Sequence, residues 1–329
     1  MRKIIAALLM IMMIIAISAC SPAVVKKTAE VTPETGIVLP AADAPEDRYS
    51  RNTATLYFRF GTEPYLAPEE RIMNVSPDSG PEEMLVTALL NGPESRGGIL
   101  TSVFPTGTRL VSVSVNGRTA FVTLSRELMN RLPDEPENWA GNTYWSREVP
   151  LRRRLAIQSI VATLTENCDI DRVQMMLEQD EGNTAGLRLP KSYYMDASDT
   201  TGLTTPAERD ETLLLTPGNV MAIVMEYRKT RNWNSLYLYV AEKDPVSGEQ
   251  KVSYQDMVTR METLPRIISY ECAGGSVNST GDRATFTVTA KVMTSGNRVA
   301  ETGSGTVRLC RENGLWRISM DMLASWPGE

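Results

Sequence analysis

The chain has 329 residues, a formal net charge of −6 at pH 7 and no histidine. The acidic balance argues against general nucleic-acid binding, which needs a basic surface. The absence of histidine excludes Ser-His-Asp triads, histidine proton shuttles and the commonest zinc ligand sets. With 42% apolar residues, the length suits about two domains after an N-terminal leader and a linker.

Residues 1–20 predict a secretory signal. Arg2 and Lys3 begin it, residues 4–17 are apolar and uncharged, and small residues precede Cys20. This order is typical of a cleaved signal, and the apolar run is shorter than the roughly 20 residues that cross a bilayer. The small residues directly before Cys20 resemble the lipobox of a bacterial lipoprotein signal. That resemblance implies cleavage before Cys20 and acylation of this cysteine, so Cys20 is the predicted lipidation site.

A lipid at Cys20 would anchor the protein to the extracytoplasmic face of the cell membrane. Loss of the signal removes Arg2 and Lys3 and takes the net charge from −6 to −8. Residues 21–52 are rich in Pro, Ala, Thr, Glu and Val without a sustained apolar period, which predicts a flexible tether. A flexible chain of that length spans about 30 Å on average.

Residues 53–195 predict a small α/β sandwich with a mixed sheet. The turn pair Asn116-Gly117 favours a type I′ hairpin, which places Val113 and Val115 on one face with Ala120 and Val122. Flanking helices are expected to cover that face. The predicted elements are a strand over 55–60, a helix ending at Gly92-Pro93, hairpin strands over 109–115 and 118–125, a helix over 151–165 and a strand over 172–178.

The polar residues 196–207 predict a linker, and residues 208–329 predict a second domain of the α+β class. Helices come first there, and an antiparallel meander follows. The predicted helices are 218–229, 233–240 and 254–263, and the predicted strands are 266–277, 283–293, 298–311 and 315–323.

The cysteines other than Cys20 are predicted to be free. Cys168 has no near partner in sequence, whereas Cys272 and Cys310 could pair in an extracytoplasmic setting. We place these two on the first and third strands of the meander, roughly 9–10 Å apart, and a disulfide rarely tolerates more than about 7 Å. Buried free thiols are the favoured interpretation and a disulfide is the alternative. Clustered thiolate spacing is absent, so no metal or cofactor is expected.

A candidate binding loop precedes the second predicted helix. It contains three aromatic residues, and three arginines follow in what would be the first turn of that helix. Exposed aromatics beside cations are typical of surfaces that hold glycans, anionic wall polymers or a protein partner. The alternative is an aromatic cluster packed on its own domain beside a solvated basic turn. The candidate residues are Trp139, Tyr144, Trp145, Arg152, Arg153 and Arg154.

The sequence contains no recognisable catalytic motif. There is no Gly-x-Ser-x-Gly elbow and no Ser-x-x-Lys motif, so a serine hydrolase has no visible nucleophile. A set of aromatic residues in the second domain could line a ligand cavity, and core packing is the favoured alternative. These residues are Trp233, Tyr237, Tyr270, Phe286 and Trp316.

Residues 53–195 resemble the GerMN domain of sporulation and spore germination proteins. The resemblance is carried by the segments at 85–93 (LVTALLNGP), 104–110 (FPTGTRL), 113–117 (VSVNG) and 120–125 (AFVTLS). The family is not known as enzymatic, and its likeness to ring-building modules of spore-envelope assemblies implies a scaffold or interaction role. This sequence shows one copy of the module where some members have two, and residues 130–147 look inserted.

Residues 208–329 more weakly resemble the nuclear transport factor 2-like fold, through the segments at 231–237 and 312–318. That fold forms a cone that can hold a ligand or mediate dimerisation, and the likeness carries no activity by itself. The leading hypothesis is therefore a lipid-anchored, non-catalytic protein that binds envelope proteins in sporulation, germination or envelope assembly. The alternative is a ligand-binding lipoprotein that uses the cone.

Overall fold

The computed structural model describes residues 50–75, 80–94, 98–180, 186–195, 201–294 and 298–326. The predicted signal, the tether up to residue 49 and the lipidation site Cys20 lie outside these ranges. Among the described residues, no helix combines the length and the apolar character that a membrane crossing requires.

Between Ser50 and Glu208, the described residues form two sheets and two α-helices, in agreement with the predicted mixed α/β character. Strands β2, β1 and β3 form an antiparallel sheet, and β4, β5, β6 and β7 form a mixed sheet in which β8 also pairs with β6. The elements are β1 (Ser50–Phe60), β2 (Leu66–Val75), α1 (Pro81–Leu90), β3 (Leu100–Thr101), β4 (Leu110–Asn116), β5 (Thr119–Leu124), α2 (Trp145–Asn167), β6 (Arg172–Glu178), β7 (Gly186–Arg188) and β8 (Ala207–Glu208).

Helix α2 is the crossover between the parallel strands β5 and β6. Parallel neighbours need such a connection because a tight turn cannot join them. The helix packs against β1 and β6, and Leu155, Ile160 and Leu164 are fully buried on it. The helix therefore joins the two sheets of this half.

The β4–β5 hairpin confirms that the predicted apolar residues of its two strands share a face. Val113 pairs with Val122 and Val115 with Ala120. The turn itself differs from the prediction, because Asn116 pairs with Thr119 and leaves Gly117 and Arg118 as the two loop residues. Gly117 has a φ of 59°, and glycine at the first loop position matches a type II′ turn rather than type I′.

The C-terminal half has helices first and a curled antiparallel sheet afterwards, which confirms the predicted α+β class and fits a cone. Strand β10 is central, with β9 on one side and β11 and β12 on the other, and β13 pairs with β12. The elements are α3 (Pro217–Thr230), α4 (Trp233–Leu238), α5 (Tyr254–Glu262), β9 (Arg266–Val277), β10 (Arg283–Met293), β11 (Val299–Glu301), β12 (Gly305–Glu312), β13 (Leu315–Ile318) and α6 (Met320–Ser325).

Two predicted strands of this half differ from the structure. The strand predicted over 298–311 is divided into β11 and β12. The strand predicted over 315–323 ends at Ile318, where the Oγ of Ser319 accepts a hydrogen bond from the backbone N–H of Met322 (3.3 Å) and so caps α6. Serine at this position favours a helix start, which the strand prediction overlooked.

The two halves meet in one core. Residues 201–208 lie against the first half. Leu203 forms an isolated β-bridge with Pro190, and β8 pairs with β6. Beyond β8, the backbone N–H of Leu215 donates to the carbonyl of Leu66 (2.9 Å). The chain from Asp47 to Glu329 forms one compact unit. The predicted boundary between two domains at 196–207 stays a prediction.

The cysteines of the described ranges are free, as predicted. Cys272 lies opposite Val288 on one side of β10, and Cys310 lies opposite Arg283 on the other side. Cys310 is buried, but Cys272 is exposed, which corrects its predicted burial. The reason is that residues 271–277 of β9 are exposed along their whole length.

The aromatic residues that could line a cone pack in the core instead. Trp233 and Phe286 are buried in the core, and Tyr237, Tyr270 and Trp316 are partly buried and pack against that core. This arrangement supports core packing, the favoured interpretation of the sequence, over a ligand cavity.

Candidate functional site

The candidate loop becomes helical earlier than the sequence predicts. Helix α2 begins at Trp145 rather than at residue 151 and contains Pro150. Proline is favoured in the first turn of a helix, whereas Pro150 is the sixth residue of α2. The Oδ1 of Asn142 accepts hydrogen bonds from the backbone N–H groups of Tyr144 (2.9 Å) and Trp145 (3.2 Å), which satisfies donors at the true start.

The early start changes the position of the three arginines. Arg152, Arg153 and Arg154 lie in the third turn of α2, not in its first turn. Helix-dipole effects fall off within the first turn, so the three positive charges do not oppose the dipole at the start of α2.

Tyr144 and Trp145 form a pair of aromatic rings at the surface, which we call the aromatic edge. Their ring centroids are 5.2 Å apart in an edge-to-face arrangement. Tyr144 is 54% exposed, and Trp145 is half-buried beneath the Arg152 guanidinium, which lies 5.1 Å from the ring centroid. Trp139, in a short 3-10 helix, is half-buried too. The predicted aromatic residues therefore present an accessible surface, chiefly through Tyr144.

A chain of ion pairs holds Arg152 in this position. The Nε of Arg152 lies 2.6 Å from Glu148 Oε1, and its Nη1 lies 2.7 Å from Asp134 Oδ1. Glu148 also forms an ion pair with Arg59 of β1, whose Nη1 lies 2.5 Å from Glu148 Oε1. Arg59 and Glu148 are buried. The chain of charges therefore connects the aromatic edge to the core strand β1.

The carboxylates of this network are held in their charged form. Burial raises the pKa of Glu148, but the hydrogen bonds and charges of Arg59 and Arg152 outweigh it and leave the pKa below its usual range. A hydrogen bond from Arg152 lowers the pKa of Asp134. Both groups are therefore anionic at neutral pH, and the network keeps its alternating charges.

Arg153 has a different environment from Arg152. Its side chain is buried and donates to the carbonyls of Leu128 (2.9 Å) and Asn130 (2.8 Å). The guanidinium also lies 5.2 Å from the centroid of the Tyr193 ring. The buried side chain of Arg153 therefore holds the loop before α2 in place.

Arg154 is exposed and lines a cleft on another side of the helix. The three consecutive arginines thus have three environments, because successive helical residues are separated by about 100°. The structure brings Trp145 and Arg152 together and separates both from Arg153 and Arg154. The role of all six candidates in partner binding stays a prediction.

Sequence reasoning missed Arg59, Asp134 and Glu148. The four-residue spacing of Glu148 and Arg152 is a signal for a helical ion pair, but the predicted helix began after Glu148. No local signal points to Arg59, which lies 89 residues away from Glu148. Among the described residues, no group of three or more Asp, Glu or Cys side chains could hold a metal ion.

Comparison with known proteins supports the resemblance of the N-terminal half. A family model described as Germane, sporulation and spore germination, matches residues 55–182. The chain contains a GerMN-type domain. No curated protein gives a significant match to the chain. The nuclear transport factor 2-like resemblance of residues 208–329 stays a prediction.

The solved structures that are similar to the chain include the following three. The tandem GerMN domains of the sporulation protein GerM from Bacillus subtilis share 15% identity at a TM-score of 0.32, over 53% of this chain and 50% of that one. This chain therefore spans about half the length of that structure. The first GerMN domain of the same protein shares 17% identity at a TM-score of 0.31, over 48% of this chain and 98% of that one. A putative lipoprotein from Clostridium perfringens shares 19% identity at a TM-score of 0.26, over 49% of this chain and 89% of that one.

Proposed function

We propose that this protein is a non-catalytic interaction module of sporulation, spore germination or cell-envelope assembly. The observation that carries the proposal is the match of its GerMN domain to a sporulation and spore germination family over residues 55–182. The protein acts at the extracytoplasmic face of the membrane, anchored by a lipid on Cys20, and its partners are envelope proteins.

The aromatic edge is the docking surface in this proposal. Binding energy at protein interfaces concentrates on tyrosine, tryptophan and arginine, and this edge combines Tyr144 and Trp145 with Arg152. The surface is ordered before a partner arrives, because Arg152 covers the Trp145 ring and is itself held by Glu148 and Asp134. A preordered surface loses less side-chain entropy on binding.

Crosslinking in living cells tests the docking surface. The full chain is produced in a spore-forming host, crosslinked and recovered with its partners, and Tyr144→Ala is expected to lower that recovery at least about fivefold, a loss of roughly 1 kcal/mol. The matched control is Val246→Ala, because Val246 is 85% exposed in the other half of the chain. Full recovery with Tyr144→Ala at an unchanged melting temperature would contradict this role.

Fractionation tests the anchor independently. Cys20→Ala is expected to remove the lipid and to release the protein from the membrane fraction. Intact-mass measurement of the wild-type protein should show a mature chain that begins at an acylated Cys20. An unmodified thiol at Cys20, or equal membrane retention of the Cys20→Ala variant, would refute the anchor and leave the docking proposal open to its own test.

A further inference from the structure

A cleft of about 450 Å³ lies beside helix α2. Its walls are Pro150 and Arg154 of α2, Lys191 and Tyr194 of a short 3-10 helix, and the segment 204–207. The volume falls within the range of about 300–1,000 Å³ that is usual for ligand sites. The proposed docking surface does not include this cleft.

Both charged residues that line the cleft are cations, although the protein as a whole is acidic. Ten residues line the cleft, and Arg154 and Lys191 are its charged members, with no carboxylate among the ten. Within the described ranges, no ion pair engages the exposed guanidinium of Arg154. Arg147, one heptad earlier on α2, is also exposed, and seven-residue spacing places it on nearly the same helix face. The exposed guanidinium of Arg154 is therefore available to an anion in the cleft, and Arg147 supplies a second cation on the approach to it.

Apolar side chains form part of the remaining walls, beside the polar Gln158, Thr204 and Thr205. Pro150, Tyr194 and Pro206 supply flat apolar surface. The side chain of Gln158 fixes one wall, because its Nε2 donates to the carbonyl of Glu208 (3.0 Å) and its Oε1 accepts from the N–H of Asp210 (3.0 Å). Such a site suits a ligand that combines a negative charge with an apolar group.

We propose that this cleft binds a short acidic segment of a partner protein, with a carboxylate on Arg154 and an apolar or proline side chain against Tyr194 and Pro206. Arginine and carboxylate form charge-assisted hydrogen bonds that are stronger than neutral ones. A long polyanion fits less well, because the net charge of −6 repels its remaining length, whereas a short segment meets mainly the local cations.

The cleft is a second site, separate from the aromatic edge. Arg154 follows Trp145 by nine residues, and at about 100° per residue the two side chains project from opposite sides of α2. Loss of binding at Tyr144 therefore leaves the cleft intact, and loss of binding at the cleft leaves the proposed docking function intact.

Selection from random sequences tests the proposal. Phage-displayed heptapeptides are selected on the purified full chain in a non-ionic detergent, and the affinity of one selected peptide is measured by fluorescence anisotropy. The selected peptides are expected to carry Asp or Glu beside proline or an apolar residue. Arg154→Glu should weaken binding at least about tenfold, and Arg154→Gln should weaken it less. A peptide with Lys in place of its acidic residue should regain affinity for Arg154→Glu.

The matched control is Arg283→Glu, the same charge change at an exposed arginine of β10, which should leave the affinity unchanged. Selected peptides without acidic enrichment, or equal affinity for Arg154→Glu, would overturn the proposal. So would binding of polyglycerol phosphate with the same dependence on Arg154 when no peptide is selected, which would assign the cleft to an anionic polymer. If Tyr144→Ala weakened the peptide as strongly as Arg154→Glu, the cleft would not be a separate site.

Discussion

Glu148 shows how a single side chain joins the core to the candidate docking surface. It is buried, accepts hydrogen bonds from Arg59 on one side and Arg152 on the other, and lies in the turn of α2 that carries the aromatic edge. Removing one partner of a buried ion pair leaves an uncompensated charge behind. The residue therefore matters both for stability and for the orientation of Trp145.

Glu148→Gln is expected to lower the free energy of unfolding at pH 7 by about 3–5 kcal/mol, because Arg59 stays buried without a counter-charge. The measurement is urea unfolding followed by circular dichroism. The control is Glu137→Gln, which breaks the exposed pair with Arg131 and should cost less than about 1 kcal/mol. Equal stability of Glu148→Gln and the wild type at pH 7 would show that the buried pair contributes nothing.

The same variant has a defined pH dependence. The pKa of Glu148 is lowered in the folded protein from its ordinary value of 4.5, so the stability from its charged form is present above that value. This contribution is lost as the pH falls below 4.5 and through the folded pKa. The stability gap between wild type and Glu148→Gln should therefore narrow in acid. A gap at pH 3 as wide as at pH 7 would contradict the linkage.

At the scale of elements, strands with clear alternation were predictable from the sequence. Strands β6, β9 and β10 have the predicted bounds, because their apolar residues alternate between well-marked turns. The start of α2 was not predictable in this way, because Pro150 matches a helix start and the stabilising partner of Glu148 lies on β1. The aromatic candidates were found from composition. The ion pairs that hold Arg152 over the Trp145 ring depend on tertiary contacts, which local sequence patterns do not contain.

Gly186 of β7 packs so closely against β5 and β6 that a larger residue does not fit without a shift. A Cβ atom at Gly186 would lie 2.8 Å from the Cβ of Met176 and 2.9 Å from the Cγ2 of Thr123. Gly186→Ala is therefore expected to displace β7 from β6 and to lower the free energy of unfolding by about 1–3 kcal/mol. The measurement is again urea unfolding.

The control for Gly186→Ala is Gly218→Ala in the first turn of α3, where nothing lies within 4 Å of the added Cβ. Alanine favours a helix over glycine, so this variant should be neutral or slightly more stable. If both substitutions had the same small effect, the close approach of β7 to β6 would not restrict residue 186.

At the scale of the whole molecule, the halves on either side of the predicted boundary are connected by buried contacts. The rings of Phe60 and Tyr239 are 5.2 Å apart. The hydroxyl of Tyr227 donates to the carboxylate of Glu63, which is buried. Because these contacts lie inside one core rather than across a solvated surface, neither half can lose its packing without exposing apolar area of the other.

This arrangement predicts that residues 50–326 unfold in one cooperative transition. Differential scanning calorimetry should give equal calorimetric and van't Hoff enthalpies. Tyr227→Phe removes the hydroxyl that, within the described ranges, is the side-chain hydrogen-bond partner of Glu63. It should lower the free energy of unfolding by about 1–3 kcal/mol and shift the whole transition.

Tyr254→Phe is the matched control, because no hydrogen bond involves the Tyr254 hydroxyl within the described ranges, and it should leave the transition in place. Two resolved transitions in the wild-type protein, with only one of them moved by Tyr227→Phe, would contradict a shared core. That outcome would favour two independently stable domains divided at 196–207, because a solvated linker transmits no packing energy from one domain to the other.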